Sequence, residues 1–264
     1  MGLPGTAIAL AVSALLCAGC GSDRGNAVHV VGSTSILPFA EMLAEEFNRN
    51  NADVRVEVQG GGSTAGIQAV TNGTAQIGTC SRSPKPEESG FTTITIARDG
   101  IAIVVHPSNK VNGLTREQIR DIFTGKIANW KEMGGEDKAI TLVTREQGSG
   151  THEAFTHLVM GDARFAASAL TRKSSGAVNK LVESDPGAIG YMSLALVHGE
   201  LKALTVDGVK ANAEDVLNGT YPLVRPFLFV VKGTPSEAAQ KFIDFVLSPP
   251  AQQILEKEGL VRAK

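Results

Sequence analysis

Three segments of the chain combine glycine with serine or threonine directly before apolar residues at helical spacing. They are residues 32–35 (Gly-Ser-Thr-Ser), 60–64 (Gly-Gly-Gly-Ser-Thr) and 148–151 (Gly-Ser-Gly-Thr). Hydroxyl groups donate hydrogen bonds, and glycine lets the backbone approach a ligand closely. A helix N-terminus adds unpaired backbone N–H groups and a partial positive charge. The chemistry indicated is the binding of a phosphate-like or sulfate-like anion.

Each segment also has an ordinary explanation, because serine and threonine are the usual N-cap residues of helices. One such segment alone is more typical of a cap than of a binding site. Three glycine-rich versions in one chain favour binding, and Arg145, just before the third segment, could add a bidentate contact to an anion. The residue pattern by itself leaves capping and binding open.

Strands and helices alternate around these segments. Apolar or alternating runs predict strands at residues 28–31, 54–58, 76–79, 101–105, 140–144 and 227–231. Helical spacing predicts helices after each glycine-rich segment, after Thr115 and across residues 235–258, with a break at Pro249. This alternation predicts an α/β fold with parallel-type sheets. Ligands of such sheets bind at the carboxyl ends of the strands, beside helix N-termini.

The N-terminus indicates export. Residues 1–20 contain no charged side chain, and the apolar run at residues 7–16 is too short to span a bilayer but suits a signal-peptide core. The run ends at residues 17–20 (Cys-Ala-Gly-Cys), which resemble a bacterial lipobox and predict lipidation of Cys20 after cleavage. Residues 21–27 then form a polar tether. Because the segment lacks lysine and arginine and has Cys17 where leucine is usual, a plain secretory signal is the alternative.

The overall composition limits the classes of partner. The net charge of −2 argues against nucleic acid as a partner, so an anion binder of this composition must place its donors locally. With Cys20 lipidated, Cys80 is the one cysteine left in the folded part and cannot form an internal disulfide. The remaining chain, about 240 residues, is long enough for one large or two modest domains.

An enzyme is the rival class. Residues 61–65 resemble a nucleophile elbow, but Ala65 replaces its last glycine, and residues 148–151 lack the lysine of a P-loop. The five histidines form no zinc motif, and a lone Cys80 is more typical of a buried structural residue. We therefore predict a non-enzymatic protein without cofactor or metal.

Seven segments together resemble the phosphate-binding components of bacterial phosphate ABC importers, which belong to the periplasmic-binding-protein type II superfamily. They occur in the family's order and span nearly all of the mature chain: residues 32–35, 61–66, 77–82, 121–130, 145–151, 186–191 and 242–248. Each segment is weak alone, whereas the ordered set is specific.

The resemblance implies two α/β lobes joined by two crossing strands, with a central ligand cleft. The crossings would lie near residues 99–105 and 221–229, so that residues 26–98 and 222–264 form lobe one and residues 99–221 form lobe two. It further implies a monomeric solute-binding protein, exported and lipid-anchored at the cell membrane or in the periplasm. Such a protein captures inorganic phosphate and delivers it to the permease subunits of an ABC importer.

The resemblance also implies a ligand set. Some family members have aspartate at the position of Ser81, where it accepts the proton of monobasic phosphate and repels sulfate. With serine there, Asp99 and Glu146 become candidate acceptors, although each could equally be a solvated carboxylate or a salt-bridge partner. Another tetrahedral oxyanion (sulfate or a molybdate-like anion), a phosphate sensor and a phosphate-ester hydrolase are therefore the alternatives. The implied ligand-binding residues are Thr34, Ser35, Ser63, Ser81, Arg82, Arg145, Ser149, Gly150 and Thr151.

Overall fold

The computed structural model describes residues 27–263, so the predicted signal peptide, the lipidation at Cys20 and nearly all of the tether lie outside the described residues. Within this range no helix is long and apolar enough to cross a bilayer. The strands are β1 (Ala27–Gly32), β2 (Arg55–Gly60), β3 (Ile77–Cys80), β4 (Phe91–Val105), β5 (Gly113–Leu114), β6 (Thr141–Arg145), β7 (Leu170–Arg172), β8 (Ala188–Ser193), β9 (Lys202–Ala203), β10 (Thr205–Val206), β11 (Val224–Lys232) and β12 (Val261–Arg262).

The α-helices cover the faces and edges of the strands. They are α1 (Leu37–Asn50), α2 (Ser63–Thr71), α3 (Arg116–Phe123), α4 (Gly150–Phe155), α5 (Ser175–Ser184), α6 (Ala213–Leu217), α7 (Glu237–Leu247) and α8 (Pro249–Lys257). A π-helical turn, Thr156–Met160, continues α4.

The main sheet runs in the order β2-β1-β3-β11-β4-β8-β6-β7. Strand β1 is parallel to β2 and β3, and β6 is parallel to β7 and β8, as the alternation of strands and helices predicts. The two central strands differ from that prediction. Strand β11 is antiparallel to both β3 and β4, and β4 is antiparallel to β8, because β4 and β11 carry the chain in opposite directions between the two halves of the molecule.

Strand β4 belongs to both halves. Its first part, up to Gly100, pairs with β11, and its last part, from Ile101 to Val105, pairs with β8. The two strands therefore form the connection between two lobes, in the regions where the crossings are predicted. The lobe boundaries at residues 98/99 and 221/222 stay predictions.

Each lobe has its own apolar core. In the first, the helical spacing of α1 buries Phe39, Leu43 and Phe47 against β1, β11 and α7. In the second, Phe123, Trp130, Phe155 and Tyr191 are among the buried side chains around β6 and β8. Because the cores are separate, each lobe can pack its own strands and leave the facing surfaces to polar groups.

Local sequence signals locate several helix ends correctly. The Thr115 hydroxyl accepts from the Gln118 N–H (3.1 Å) and the Gln118 side chain accepts from the Thr115 N–H (2.8 Å). This capping box begins α3 at the residue after which a helix is predicted. Residues 235–258 form α7 and α8 with the predicted break before Pro249. Proline is tolerated there because it lies in the first turn of α8.

Candidate binding site

The carboxyl ends of strands from the two lobes face each other. Strands β1, β2 and β3 end at Gly32, Gly60 and Cys80 in lobe one, and β6 ends at Arg145 in lobe two. The loops that follow touch across the cleft, since the Thr64 N–H donates to the Gly148 carbonyl at 3.0 Å. The three glycine-rich segments predicted from sequence thus converge on one place.

Seven hydroxyl side chains meet there, and we call them the hydroxyl cluster. Six of them are buried, with at most 3% of the side chain exposed, and Thr34 is half-buried. Burying so many hydroxyls is costly unless each has a hydrogen-bond partner. The members are Ser33, Thr34, Ser35, Ser63, Ser81, Thr151 and Ser175.

Hydrogen bonds join the cluster within lobe one and across the cleft. Ser33 Oγ donates to Ser81 Oγ at 2.9 Å, and the Ser81 N–H donates to Ser63 Oγ at 3.1 Å. Ser35 Oγ lies 2.9 Å from Thr151 Oγ1 and 3.0 Å from Ser175 Oγ, both in lobe two. The cluster is therefore assembled by bringing the lobes together.

Arg145 contacts the cluster from lobe two. Its guanidinium donates to Thr34 Oγ1 at 3.1 Å and to Ser175 Oγ at 3.3 Å, and only 2% of its side chain is exposed. Glu146 holds the same group through two hydrogen bonds of 2.9 and 3.0 Å, and the Arg172 carbonyl accepts a third. The guanidinium is thus fixed in orientation, as bidentate anion recognition requires.

Arg225 supplies a second buried guanidinium, which the sequence analysis did not identify. It lies on β11 opposite Asp99 of β4, donates to Asp99 Oδ2 at 2.9 and 3.1 Å, and reaches Thr151 Oγ1 at 2.6 Å. Burial raises the pKa of the Asp99 carboxyl, and the Arg225 guanidinium opposes that effect. The sequence did contain a signal for Arg225, because a charged residue in a mostly apolar strand such as β11 is unusual.

The two candidate proton acceptors are both salt-bridge partners. Asp99 is engaged by Arg225, and Glu146 is engaged by Arg145. Each guanidinium near the cluster therefore has its own carboxylate. The groups that these arginines and serines present to one another are oriented N–H and O–H donors, and the nearby positive charges are balanced.

Among the described residues, two side chains of the predicted ligand set, those of Arg82 and Ser149, make no hydrogen bond to the cluster. The Arg82 guanidinium donates to both Glu88 carboxylate oxygens at 2.7 Å and lies 2.9 Å from Glu153 in lobe two. Ser149 caps α4, since its hydroxyl accepts from the His152 N–H at 3.3 Å. Arg82 thus joins the lobes beside the cluster, and Ser149 caps α4, the helix that carries Thr151.

Gly150 lies where the two lobes approach each other closely. A Cβ atom at this position would fall against the Ser63 hydroxyl and 2.6 Å from Ser81 Oγ, closer than packed atoms can approach. The predicted site residue Gly150 is therefore needed for its small size, because it lets α4 reach two hydroxyls of the opposite lobe.

Changing Gly150→Ala should weaken anion binding about tenfold or more, because overpacking costs about 1–3 kcal/mol and here acts on the closed form. Calorimetric titration with phosphate measures the effect. Gly176→Ala is the matched control, since the added Cβ would meet no atom within 4 Å. Equal affinities for the two variants would contradict the role given to Gly150.

Ser175 is a second residue that the sequence analysis missed. It follows β7 and begins α5, while the neighbouring Ser174 caps the helix by accepting from the Ala177 N–H at 3.1 Å. Residues 174–176 (Ser-Ser-Gly) carry the same hydroxyl and glycine signal as the recognised segments. In residues 174–176 the glycine follows the hydroxyl residues instead of preceding them, so the segment does not match the pattern of the other three.

A hydrogen-bond network supports the lobe-two side of the site. Tyr191 Oη lies 2.7 Å from Thr144 Oγ1 and 2.9 Å from His152 Nδ1, and it accepts from the Arg145 N–H at 3.3 Å. Burial raises the pKa of Tyr191 to about 12 and lowers the pKa of His152. The His152 ring is half-buried and stacks on Phe165.

The fold and the site define a two-lobed binding protein in which polar groups from both lobes meet in the cleft. A profile of the PBP superfamily domain matches residues 21–250. The phosphate-binding protein PstS of Bacillus subtilis (strain 168) is 34% identical over 238 residues, which cover 88% of this chain and 79% of that protein. The chain belongs to the PBP superfamily and, within it, to the family of the phosphate-binding proteins PstS.

Two solved structures are similar to the whole described fold. A phosphate ABC transporter substrate-binding protein with bound phosphate from Clostridium perfringens has 43% sequence identity and a TM-score of 0.88, and it covers 90% of this chain and 100% of its own. An ABC-type phosphate transport receptor from Vibrio cholerae has 36% identity and a TM-score of 0.75, with 89% and 99% covered. These relatives are binding and transport proteins.

Proposed function

We propose that this protein captures inorganic phosphate between its two lobes and delivers it to an ABC importer. The observation that carries the proposal is the hydroxyl cluster, which draws donors from both lobes and is flanked by Arg145 and Arg225. The names of the PstS relatives and the phosphate bound in the Clostridium perfringens structure support phosphate as the anion.

The residues proposed to contact phosphate are the buried hydroxyls and the guanidinium groups that face them. Thr34, Ser35, Ser63 and Ser81 act from lobe one, while Arg145, Gly150 and Thr151 act from lobe two. Ser175 and Arg225 join this set because each bonds to a predicted member. Arg82 supports the closed form through its ion pair with Glu153, and Ser149 caps helix α4.

The proposed cycle needs only a change in the distance between the lobes. The open form exposes two half-sites, and the anion favours closure because the closed form alone offers donors from both. An importer that recognises the closed form then receives the anion. The two moving bodies would be the predicted lobes, which are residues 26–98 with 222–264 and residues 99–221.

Calorimetric titration of ligand-stripped protein with phosphate, sulfate and molybdate tests this function. Phosphate should bind with a dissociation constant in the micromolar range or below. Sub-micromolar sulfate binding without any phosphate heat would instead identify a sulfate-binding protein. Delivery is tested by phosphate uptake in cells that lack the gene, since a sensor would leave uptake unchanged.

Changing Glu153→Gln should weaken phosphate binding by about threefold to tenfold, because part-buried ion pairs of this kind contribute on the order of 1 kcal/mol. Glu153 joins the lobes through Arg82 at 2.9 Å and Lys85 at 2.7 Å. The difference from wild type should shrink at high salt. Glu57→Gln is the control, because its Arg55 partner lies in the same lobe. An equal loss of phosphate affinity in that variant would contradict the role of Glu153 in joining the lobes.

We also propose that the exported chain is lipid-anchored through Cys20, as its resemblance to a lipobox suggests. Mass spectrometry of the mature protein from the producing cells would detect the diacylglyceryl group. Cys20→Ser should then release the protein from the membrane fraction. A wild-type N-terminus without lipid would favour the plain secretory signal.

Chemistry on the bound anion forms no part of the proposed cycle. The one described cysteine, Cys80, is buried, and burial raises the pKa of its thiol, which makes it a poor nucleophile. Hydrolysis of a chromogenic phosphate ester that disappears in Ser63→Ala would instead support the hydrolase alternative.

A further inference from the structure

The direction of most hydrogen bonds in the hydroxyl cluster can be assigned. Five of its oxygens accept from an N–H group, and Ser81 Oγ accepts from the Ser33 hydroxyl. A hydroxyl whose oxygen already accepts a hydrogen bond keeps its own hydrogen for donation. The five that accept from N–H groups are Ser33 (from Ser35), Thr34 and Ser175 (from Arg145), Ser63 (from Ser81) and Thr151 (from Arg225).

The carboxylates beside the cluster are occupied by arginines. Asp99 Oδ2 accepts twice from Arg225, and its Oδ1 lies 3.5 Å from the Ala195 N–H. Both Glu146 oxygens accept from Arg145. Within residues 27–263, none of the hydrogen bonds made to the seven hydroxyls involves a carboxylate. The two carboxylates are therefore paired with the arginines rather than with the hydroxyls.

We propose that this site recognises its oxyanion through donors alone, so that it binds the dianionic form of phosphate in preference to the monobasic form and accepts sulfate as well. This inference rests on the proposed function, because the protonation state of phosphate matters only if phosphate binds. A protonated phosphate oxygen needs an acceptor, and here it meets hydroxyl oxygens that already accept one hydrogen bond. A fully ionised oxygen instead matches the surrounding O–H and N–H groups.

The preference gives a specific dependence on pH. Inorganic phosphate loses its second proton at about pH 7, roughly one unit above a phosphate ester, so the dianion becomes scarce on the acidic side. Total phosphate should then bind about tenfold more weakly for each pH unit below that ionisation and become constant above it. Sulfate stays fully ionised throughout, so its affinity should remain flat.

The protein's own titration must be separated from that of the ligand. Among the groups near the cluster, His152 is the one whose ordinary pKa falls in this window, and burial lowers that pKa. Any change in the protein affects both anions, so sulfate reports it directly. The charged and titratable side chains around the cluster are Cys80 on β3, Arg82, Lys85 and Glu88 after it, Asp99 on β4, Arg145 and Glu146 at the end of β6, His152 and Glu153 on α4, Arg172 on β7, Tyr191 on β8 and Arg225 on β11.

The experiment is calorimetric titration of the ligand-stripped mature protein with phosphate and with sulfate, from about pH 5 to pH 8, across the second ionisation of phosphate. The expected result is a phosphate affinity that rises with pH beside a constant sulfate affinity. Phosphate binding that is constant or tighter at acidic pH overturns recognition by donors alone and leaves the proposed function intact, as does an absence of sulfate binding. Failure of phosphate to bind at any pH overturns both.

A variant with an added acceptor provides the reverse test. Ser81→Asp places a carboxylate beside Ser33 and Ser63, so it should flatten the phosphate profile and weaken sulfate binding at least tenfold. Ser81→Asn, which has a similar shape without charge, should keep the wild-type slope. Thermal unfolding checks that both variants fold, and if Ser81→Asp does not, the wild-type comparison of phosphate with sulfate decides. A folded Ser81→Asp variant with unchanged slope and sulfate affinity would contradict the inference.

Discussion

Replacing Arg225 with alanine is expected to lower the free energy of unfolding by about 3–5 kcal/mol, because it leaves the buried Asp99 carboxylate without its partner. Both side chains are at most 2% exposed, and they lie opposite each other on the two crossing strands. Urea-induced unfolding measures the loss. The double change Arg225→Ala with Asp99→Ala should recover part of it, since no buried charge then remains.

An exposed ion pair on the same protein provides the control. Arg116 pairs with Asp207 at 2.6 Å, but 49% of the arginine side chain is exposed. Arg116→Ala should therefore cost about 1 kcal/mol or less. If Arg225→Ala were no more destabilising than Arg116→Ala, Asp99 would have to be neutral or hydrated in the folded protein. The folded fraction of Arg225→Ala should also bind phosphate more weakly, because the donor to Thr151 is gone.

Replacing Arg145 with alanine is expected to weaken phosphate binding by about tenfold to a hundredfold. A charge-assisted hydrogen bond contributes about 1.5–3 kcal/mol, and each 1.4 kcal/mol is about tenfold in affinity. The loss of Arg145 also frees the Glu146 carboxylate, whose charge repels an anion. Calorimetric titration measures the effect, and the stability of the variant should be much less affected than that of Arg225→Ala, because Glu146 is 25% exposed and can be hydrated.

The neighbouring strand offers a matched control for Arg145. Arg172 lies opposite Arg145 in the register of β6 and β7, but its side chain donates to the Thr171 carbonyl and not to the hydroxyl cluster. Arg172→Ala keeps the carbonyl that holds Arg145, so it should leave phosphate affinity within about twofold. An unchanged affinity in Arg145→Ala would mean that the anion binds elsewhere in the protein.

Features encoded by neighbouring residues could be predicted from sequence. The capping box of α3, the buried face of α1 and the break between α7 and α8 each depend on residues a few positions apart. The closeness of residues 32–35 and 60–64 was also predictable, since the carboxyl ends of parallel strands lie at one edge of a sheet. Their meeting with residues 148–151 across the cleft was implied only by the family resemblance, because β6 belongs to the other lobe.

Contacts that depend on register could not be predicted. Arg225 becomes part of the site only because β11 is antiparallel to β4 with Arg225 opposite Asp99, and nothing within either strand specifies that alignment. Arg82 shows the opposite case. Its motif position implied a ligand, but Glu88, six residues later, draws the guanidinium away from the cluster. The antiparallel direction of β4 and β11 likewise depends on how the chain passes between the lobes.

The contacts between lobes that lie outside the hydroxyl cluster affect the timing of release. In the proposed cycle, the Thr64–Gly148 backbone hydrogen bond and the Arg82–Glu153 ion pair form only when the cleft closes on the anion, and they must break before it can leave. Their free energy therefore slows dissociation and has little influence on the arrival rate. The residence time of the anion is consequently longer than its own hydrogen bonds would give. Whatever extracts the anion must first separate Glu153 from Arg82.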